Sequence, residues 1–154
     1  SRSNCGLASS TRGVYHIGYD GNNSTNVLEY ITIASTGNAL DFGDLTVTTS
    51  DRSACSNATR GLVMGGQNTN VIEYITIAST GNSADFGDVF ESNKYSMGAA
   101  SSTSNDRAYA FGGSTDTNVI QFVVFSTLGN GTDFGDLLTA DPAGGCSNAH
   151  GGLS

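Results

Sequence analysis

The most conspicuous acidic groups of the chain lie in three copies of the tetrapeptide Asp-Phe-Gly-Asp (DFGD). They are Asp41, Asp44, Asp85, Asp88, Asp133 and Asp136. Carboxylate oxygens are preferred ligands of calcium, so one interpretation is a calcium site, although a calcium loop gathers more oxygen ligands than the two of each copy. The other interpretation is a tight turn in which Asp accepts backbone hydrogen bonds, Phe packs inward and Gly has an unusual φ. Because all three copies are the same, we expect the structural role and no cofactor, with calcium as the alternative.

All six cationic side chains fall at two positions that recur along the chain. Arg2, Arg52 and Lys94 share one position, and Arg12, Arg60 and Arg107 share the other. The planar guanidinium of Arg can bind a carboxylate through two parallel hydrogen bonds. We therefore predict structural cations, with the second set paired to the DFGD aspartates. The net charge of −8 leaves few cations for phosphate groups, which argues against nucleic-acid binding.

The cysteines and histidines form no recognisable catalytic or metal-binding pattern. Cys5, Cys55 and Cys146 occupy one repeat position, where a further copy has Ala99, so we expect free, buried thiols. His16 lies within an apolar segment, which is typical of a packed or hydrogen-bonded histidine. The chain contains no G-x-S-x-G, no H-E-x-x-H and no phosphate-binding loop, and we predict that it is not an enzyme.

These motifs belong to a repeat that covers essentially the whole chain. A shared block begins at Asn26, Asn70 and Asn118, so the starts are 44 and 48 residues apart. In the middle copy it reads NVIEYITIASTGNSADFGD, and the shorter block TRGLVMGG precedes it. Each repeat offers four short extended segments rich in β-branched and aromatic residues, at about 54–58, 61–65, 71–78 and 85–90 in the middle copy.

The composition and the repeat length together predict the architecture. With 21 Gly and only 13% charged residues, the chain is poor in helix formers. Apolar residues lie on both faces of the third segment, as in a sheet that is covered on both sides. Four antiparallel strands in 44–48 residues fit one blade of a β-propeller, and a β-solenoid is the alternative.

The repeats resemble the kelch repeat. The resemblance lies in a strand that ends in a Gly pair, at 65–66 and 112–113, followed by a strand that begins with Asn and Val or Ile. The Trp of most kelch blades is absent, and Gly18 is followed by Tyr19. The wording TIASTGN-x-x-DFGD-L is similar to kelch-like repeats in tail-fibre and other virion-associated proteins of marine bacteriophages. The resemblance implies an all-β fold of kelch-like propeller blades and a virion or extracellular location.

The expected domain organisation is a single array over residues 1–154, with blades at about 1–45, 46–89 and 90–137 and a partial blade at 138–154. Propellers have about four to eight blades, so we expect a ring that is incomplete within this chain. Both ends supply a first strand, so they duplicate each other. Further repeats of a longer array, a second chain that brings the ring to six blades, or a filament are the alternatives.

Candidate ligand-binding residues lie in the loops that differ most among the copies, because recognition is usually found in variable loops on a rigid scaffold. The first copy has YDGNNST at 19–25, where the second has QNT and the third STDT. The alternative is that these loops vary because nothing constrains them. The residues expected to bind sugar hydroxyls are Tyr19, Asp20, Asn22, Asn23, Lys94, Tyr95 and Asp116.

Two functions are consistent with these expectations. The first is a structural or adhesion module of a virion or surface appendage, whose propeller presents loops to host glycans or proteins. The second is a self-assembling subunit of a fibre or filament with no ligand of its own. Neither involves nucleic acid or membrane insertion, since no apolar run is long enough to span a bilayer.

Overall fold

The computed structural model of the chain describes residues 4–90, 97–102, 105–113, 117–140 and 145. These residues form twelve β-strands and no helix, so none of them belongs to a helix that could cross a membrane. The strands are β1 (Cys5–Ala8), β2 (Arg12–His16), β3 (Val27–Thr32), β4 (Leu40–Asp44), β5 (Ser53–Ser56), β6 (Arg60–Met64), β7 (Val71–Thr76), β8 (Ala84–Asp88), β9 (Gly98–Ser102), β10 (Arg107–Phe111), β11 (Val119–Val124) and β12 (Thr132–Asp136).

The strands form three antiparallel sheets, each built from four strands in chain order. Sheet 1 contains β1 to β4, sheet 2 contains β5 to β8, and sheet 3 contains β9 to β12. The four segments predicted for the middle repeat each overlap one strand of sheet 2, so the prediction of four strands per repeat is confirmed. Of the predicted partial fourth repeat, the described residues are 138–140 and 145, and none of these belongs to a strand.

Sheet 2 lies between the other two sheets and contributes to two cores. On one side Val63, Ile75 and Ile77 pack against sheet 1, and on the other side Ile72 and Phe86 pack against sheet 3. Successive residues of a strand point to opposite faces, which is why an apolar third strand suits a sheet covered on both sides. The predicted two-sided burial is confirmed for β7.

The DFGD motif lies in the last strand of each sheet, so the prediction of a tight turn is wrong. In sheet 1 Gly43 is opposite Leu28 and Asp41 is opposite Glu29, which leaves Phe42 as the extra residue of a β-bulge. Sheets 2 and 3 have the same irregularity. The φ values of the three motif glycines are 140°, 150° and 144°, which confirms the unusual glycine conformation.

The strand pairing also corrects the alignment of two cysteines. Cys5 pairs with His16, while Cys55 pairs with Leu62. In strand register Cys5 is therefore equivalent to Ser53, two residues before Cys55, and the predicted shared position is wrong for this pair. Both thiols are free, as predicted, and burial raises the pKa of each to about 12. The third cysteine of the predicted set lies outside the described residues.

Candidate functional site

The loop between β2 and β3, residues 17–26, contains four of the predicted ligand-binding residues. Tyr19 and Ser24 form an isolated antiparallel bridge. The Tyr19 hydroxyl donates to the carbonyl of Asn22 over 3.1 Å, and the N–H of Asp20 donates to the carbonyl of Asn23 over 3.1 Å. These bonds give the loop a defined shape, in which Asn22 and Asn23 are exposed.

Asp20 holds this loop in shape. Its Oδ1 accepts hydrogen bonds from the backbone N–H groups of Asn22 and Asn23, each at 2.8 Å. These donors, Asn23 first, lower the pKa of the Asp20 carboxyl below its usual value. The side-chain amides of Asn22 and Asn23 make no hydrogen bond within the described part of the chain, so they are available at the surface.

The remaining predicted ligand-binding residues, Lys94, Tyr95 and Asp116, lie outside the described residues, so their grouping with Tyr19 stays a prediction. The connection equivalent to 17–26 runs from 65 to 70 in sheet 2, so it has six residues instead of ten. Sheet 1 therefore carries a longer loop at this place than sheet 2.

Three arginines begin the second strands of their sheets, and each stacks on an aromatic ring of the third strand. A guanidinium over a ring face is a favourable cation–π arrangement. The distances from guanidinium carbon to ring centroid are 4.7 Å for Arg12 and Tyr30, 4.6 Å for Arg60 and Tyr74, and 4.2 Å for Arg107 and Phe122.

Two of these arginines also connect their sheet to the next one. Arg12 donates to the carbonyl of Ile77 in sheet 2 over 3.0 Å, and Arg60 donates to the carbonyl of Phe125 in sheet 3. Among the described residues no ion pair joins Arg12, Arg60 or Arg107 to a DFGD carboxylate, so the predicted pairing is not observed. The acceptors of Arg12 and Arg60 are backbone carbonyls, and the third strand of each sheet lies between the arginine's strand and the DFGD strand.

A buried ion pair between Arg52 and Glu73 lies inside sheet 2. Both side chains have an exposed fraction of 0%, and Arg52 Nη1 donates to Glu73 Oε2. Arg52 Nη2 also donates to the carbonyl of Val71 over 2.9 Å. Glu73 Oε1 accepts hydrogen bonds from the hydroxyl of Ser83 at 2.8 Å and from the N–H of Thr46, in the connection between β4 and β5, at 2.5 Å. The pair therefore attaches the connection between sheets 1 and 2 to β7 of sheet 2.

Glu73 remains ionised despite its burial. Burial raises the pKa of its carboxyl, but the Arg52 guanidinium and the donors from Thr46 and Ser83 outweigh this effect, so the pKa lies below its usual value. The equivalent residues are Glu29 in sheet 1 and Gln121 in sheet 3. A polar residue at one place in three otherwise apolar strands is the sequence signal for this site, and the loop-based predictions missed it.

His16 is buried and hydrogen-bonded, as predicted for a packed histidine. Its Nε2 lies 2.9 Å from the carbonyl oxygen of Thr25, and its Nδ1 has no partner. Burial lowers the pKa of the imidazole below its usual value, and the nearby Arg52 lowers it further. The ring is therefore neutral at pH 7.

The DFGD strand of sheet 1 bonds to the loop that precedes the last strand of sheet 2. The carbonyl of Phe42 accepts from the N–H of Gly81 at 2.7 Å, and the carbonyl of Asp44 accepts from the N–H of Ser83 at 2.9 Å. In return the N–H of Asp44 donates to Asn82 Oδ1 over 3.0 Å. We call this set of three bonds the inter-sheet contact.

The inter-sheet contact occurs again between sheets 2 and 3. The carbonyl of Phe86 accepts from Gly129 at 2.9 Å, and that of Asp88 accepts from Gly131 at 2.8 Å. The N–H of Asp88 donates to Asn130 Oδ1 over 3.0 Å. The Gly-Asn loop and the DFGD strand, which the sequence repeats together, are therefore the two halves of one structural contact.

The described residues hold no group of three or more His, Cys, Asp or Glu side chains arranged for a metal ion. A shallow depression of about 170 Å³ lies on sheet 3 beside Phe122, Leu128 and Thr132. It is smaller than most ligand pockets, which have volumes of about 300 Å³ or more. The exposed 17–26 loop and the inter-sheet contacts are therefore the features on which a function can be based.

No protein-family model matches the chain, and comparison with curated proteins gives no significant match. What the geometry assigns is an all-β array of three four-stranded antiparallel sheets joined by a repeated contact.

Proposed function

We propose that the chain is a non-enzymatic scaffold of kelch-like propeller blades and serves as a structural or adhesion module of a virion or extracellular appendage. Four-stranded antiparallel sheets packed face to face support this architecture, because propeller blades are sheets of this kind. The first strand of sheet 2, β5, contacts both β1 and β9. First strands that neighbour one another are expected where blades surround a common axis.

The observation that carries the recognition role is the preformed loop at 17–26. Its own hydrogen bonds hold it, so binding a ligand would require little further ordering of the backbone. It presents the free amides of Asn22 and Asn23 beside the ring of Tyr19. Amides can exchange hydrogen bonds with sugar hydroxyls, and an aromatic ring can stack on a sugar face. Host glycans are therefore the proposed ligand class.

A glycan array followed by cell-binding measurements tests this role. The double variant Asn22→Ala/Asn23→Ala and the single variant Tyr19→Ala are expected to lose binding while their unfolding curves stay close to that of the wild type. Gln67→Ala, in the equivalent loop of sheet 2, is the matched control and should bind normally. If the wild-type chain binds no glycan and no cell surface, the recognition role is wrong.

A second candidate function is a self-assembling structural subunit, and exposed apolar side chains at both ends of the array favour it. Ile33 on sheet 1 is 53% exposed and Phe134 on sheet 3 is 55% exposed. Apolar patches on a folded surface commonly mark interaction sites. A mass measurement in solution tests this role: it predicts species larger than one chain, and a monomer at all accessible concentrations contradicts it.

A further inference from the structure

We infer that the two ends of the array bind each other, so that sheet 3 of one chain docks on sheet 1 of a second copy through the same contact that joins the sheets within the chain. This inference deepens the self-assembly role proposed above and rests on it. It follows from comparing the exposed apolar residues Ile33 and Phe134 of the two free faces with their repeat equivalents, which are buried between sheets.

The free face of sheet 3 carries the apolar groups that sheets 1 and 2 use to cover the next sheet. Phe42 and Phe86 are each 2% exposed because the following sheet covers them, while the equivalent Phe134 is 55% exposed. Phe134 nevertheless has the same setting within its own sheet, since its ring packs edge-on against Phe122 at 6.2 Å, as Phe86 packs against Tyr74 at 6.1 Å. The side chain is positioned as in the buried copies, but no sheet formed by the described residues covers it.

The free face of sheet 1 carries the matching apolar groups. In sheets 2 and 3 the residues that pack on the preceding sheet include Ile77 and Phe125, each 1% exposed. Their equivalent in sheet 1 is Ile33, and its neighbour Ile31 is exposed as well. Association would remove these apolar side chains from water, which favours docking.

The hydrogen-bonding groups of the two free faces are complementary in the same register. The loop of sheet 1 offers the N–H groups of Gly37 and Ala39 and the side chain of Asn38, at the places held by 81–83 in sheet 2. The free DFGD strand offers the carbonyls of Phe134 and Asp136 and the N–H of Asp136. Together they can form a third copy of the inter-sheet contact.

Two kinds of side-chain hydrogen bond between neighbouring sheets would also gain a partner at these ends. Arg12 and Arg60 each donate to a carbonyl of the next sheet, and the equivalent Arg107 faces an end where the acceptor would be the carbonyl of Ile33 in the second copy. The carboxylate of Glu73 accepts a hydrogen bond from the N–H of Thr46, two residues after the last strand of the preceding sheet.

In the same way, the carboxylate of Glu29 on sheet 1 would accept the N–H of Leu138 from the second copy. Glu29 now accepts a hydrogen bond from the hydroxyl of Tyr15 at 2.5 Å, which leaves its other oxygen available.

The backbone conformation at Gly135 would allow the loop of a neighbouring sheet to approach as closely as it does at Gly43 and Gly87. A Cβ at Gly43 would overlap the carbonyl oxygen of Gly81, and one at Gly87 would overlap that of Gly129, because the next sheet comes so close. Gly135 has the same kind of φ, 144°, but no atom lies within 4 Å of the position of a Cβ. The space beside Gly135 is therefore open, whereas the loop of the next sheet fills the corresponding space beside Gly43 and Gly87.

The number of sheets is compatible with a closed assembly of two chains. A contact between two different faces produces a ring if the rotation closes and a filament if it does not. Two copies of three sheets give six, which is within the range of about four to eight blades for propellers.

Complementation between two variants tests the inference. Ile33→Asp places a charge on the free face of sheet 1, and Phe134→Asp places one on the free face of sheet 3. Each variant alone is expected to have the mass of one chain by light scattering. A mixture of the two should give a species of two chains, because one intact pair of faces remains. Ala58→Asp, at an exposed residue of the turn between β5 and β6 in the central sheet, is the matched control and should assemble as the wild type does.

The outcomes separate the inference from the assembly role. A wild-type chain that is monomeric across micromolar concentrations overturns both. Assembly of either Asp variant alone, or a mixture that stays monomeric, overturns the docking of these two faces while the assembly role stands. Circular dichroism and thermal unfolding show whether the variants are folded. Gly135→Ala provides a second test, since a methyl group there should block the close approach and weaken assembly at least about tenfold, one step of 1.4 kcal/mol.

Discussion

At the scale of single residues, the ion pair of Arg52 and Glu73 has the greatest effect on the energetics. Removing two charges from water is unfavourable, and their pairing with additional hydrogen bonds offsets part of that cost, although Arg52 Nε has no hydrogen-bond partner. Glu73 gains such bonds from Thr46 and Ser83 as well as from Arg52. Because Thr46 lies in the connection between β4 and β5, the pair also holds the chain where it passes from sheet 1 to sheet 2.

Loss of either partner is expected to destabilise the fold strongly. Glu73→Ala or Arg52→Met should each lower the free energy of unfolding by about 3–5 kcal/mol, because a buried charge is left unpaired. The double variant Arg52→Met/Glu73→Leu should lose much less than the sum of the two. Urea unfolding measures these values, and exposed Asp85→Asn is a control that should change stability by no more than about 0.5 kcal/mol. Additive effects would contradict the pairing.

The stability of the protein is expected to fall in two steps as the pH is lowered. His16 has a folded pKa below its unfolded value of 6.5, so the unfolded chain takes up a proton first and stability falls as the pH drops through this value. Glu73 has a folded pKa below its unfolded value of 4.5, so its contribution is present above that pH and is lost as the pH falls through the folded pKa.

His16→Met separates the two steps, because Met64 holds the equivalent position in sheet 2. In this variant the decline in unfolding free energy between about pH 7 and pH 5 should become shallower, while the decline at lower pH remains. Urea unfolding as a function of pH measures both slopes. If wild type and variant have the same slope in the upper range, His16 does not titrate as inferred.

At the scale of strands, the bulge in the DFGD strand determines how closely two sheets approach. The extra Phe turns into the core between the sheets, and the following Gly brings the backbone against the next loop. Phe42 and Phe86 are both buried in this way. A bulge that recurs at one place in every sheet therefore serves as the attachment point for the next sheet.

Gly43→Ala and Gly135→Ala distinguish the effect of close approach from that of backbone strain. Both residues have a strongly positive φ, so both variants should lose about 1–3 kcal/mol through strain. Gly43→Ala should lose about 1–3 kcal/mol more, because its methyl group would overlap the carbonyl of Gly81. The comparison is made by urea unfolding in the Phe134→Asp background, where association does not contribute. Equal losses would contradict the steric role of the next sheet.

The strands were predictable from the sequence because the same pattern of β-branched residues and turn residues recurs in all three repeats. The bulge was not, since it depends on how the DFGD strand pairs with β3 or β7, and DFGD also has the composition of a turn. Arg52 and Glu73 are 21 positions apart, so their pairing can be predicted only if the strand register is known. The sequence alignment that equated Cys5 with Cys55 misplaced this register by two residues. The variable loop at 17–26 was visible in the sequence, but not the role of Asp20 in shaping it.

At the scale of the whole molecule, the array behaves as three units with contacts between nearest neighbours. Within the described part of the chain, sheet 2 has a neighbouring sheet on both faces, while sheets 1 and 3 each have one. In such arrays stability is approximately the sum of unit and interface contributions. Sheets at the two ends are therefore expected to open more readily than the central sheet.

Hydrogen exchange followed by mass spectrometry tests this expectation. In the monomeric variant Phe134→Asp, amides of β6 and β7 should exchange at least about tenfold more slowly than those of β2 and β3, since their sheet is covered on both faces. In wild-type assemblies this difference should shrink, because the second copy covers sheet 1. Equal protection of the central and end sheets in the monomer would contradict the nearest-neighbour description.

The inter-sheet contact has a consequence for how such a chain can change in length. Every sheet carries the loop that fits its predecessor and the strand that fits its successor, so a tandem duplication of one repeat adds a module whose two sides already match their neighbours. Inserting a second copy of 46–89 after residue 89 should thus add one sheet without a new interface having to evolve. Such a gene can lengthen or shorten by recombination between its own repeats, and the fold would remain compatible with each product.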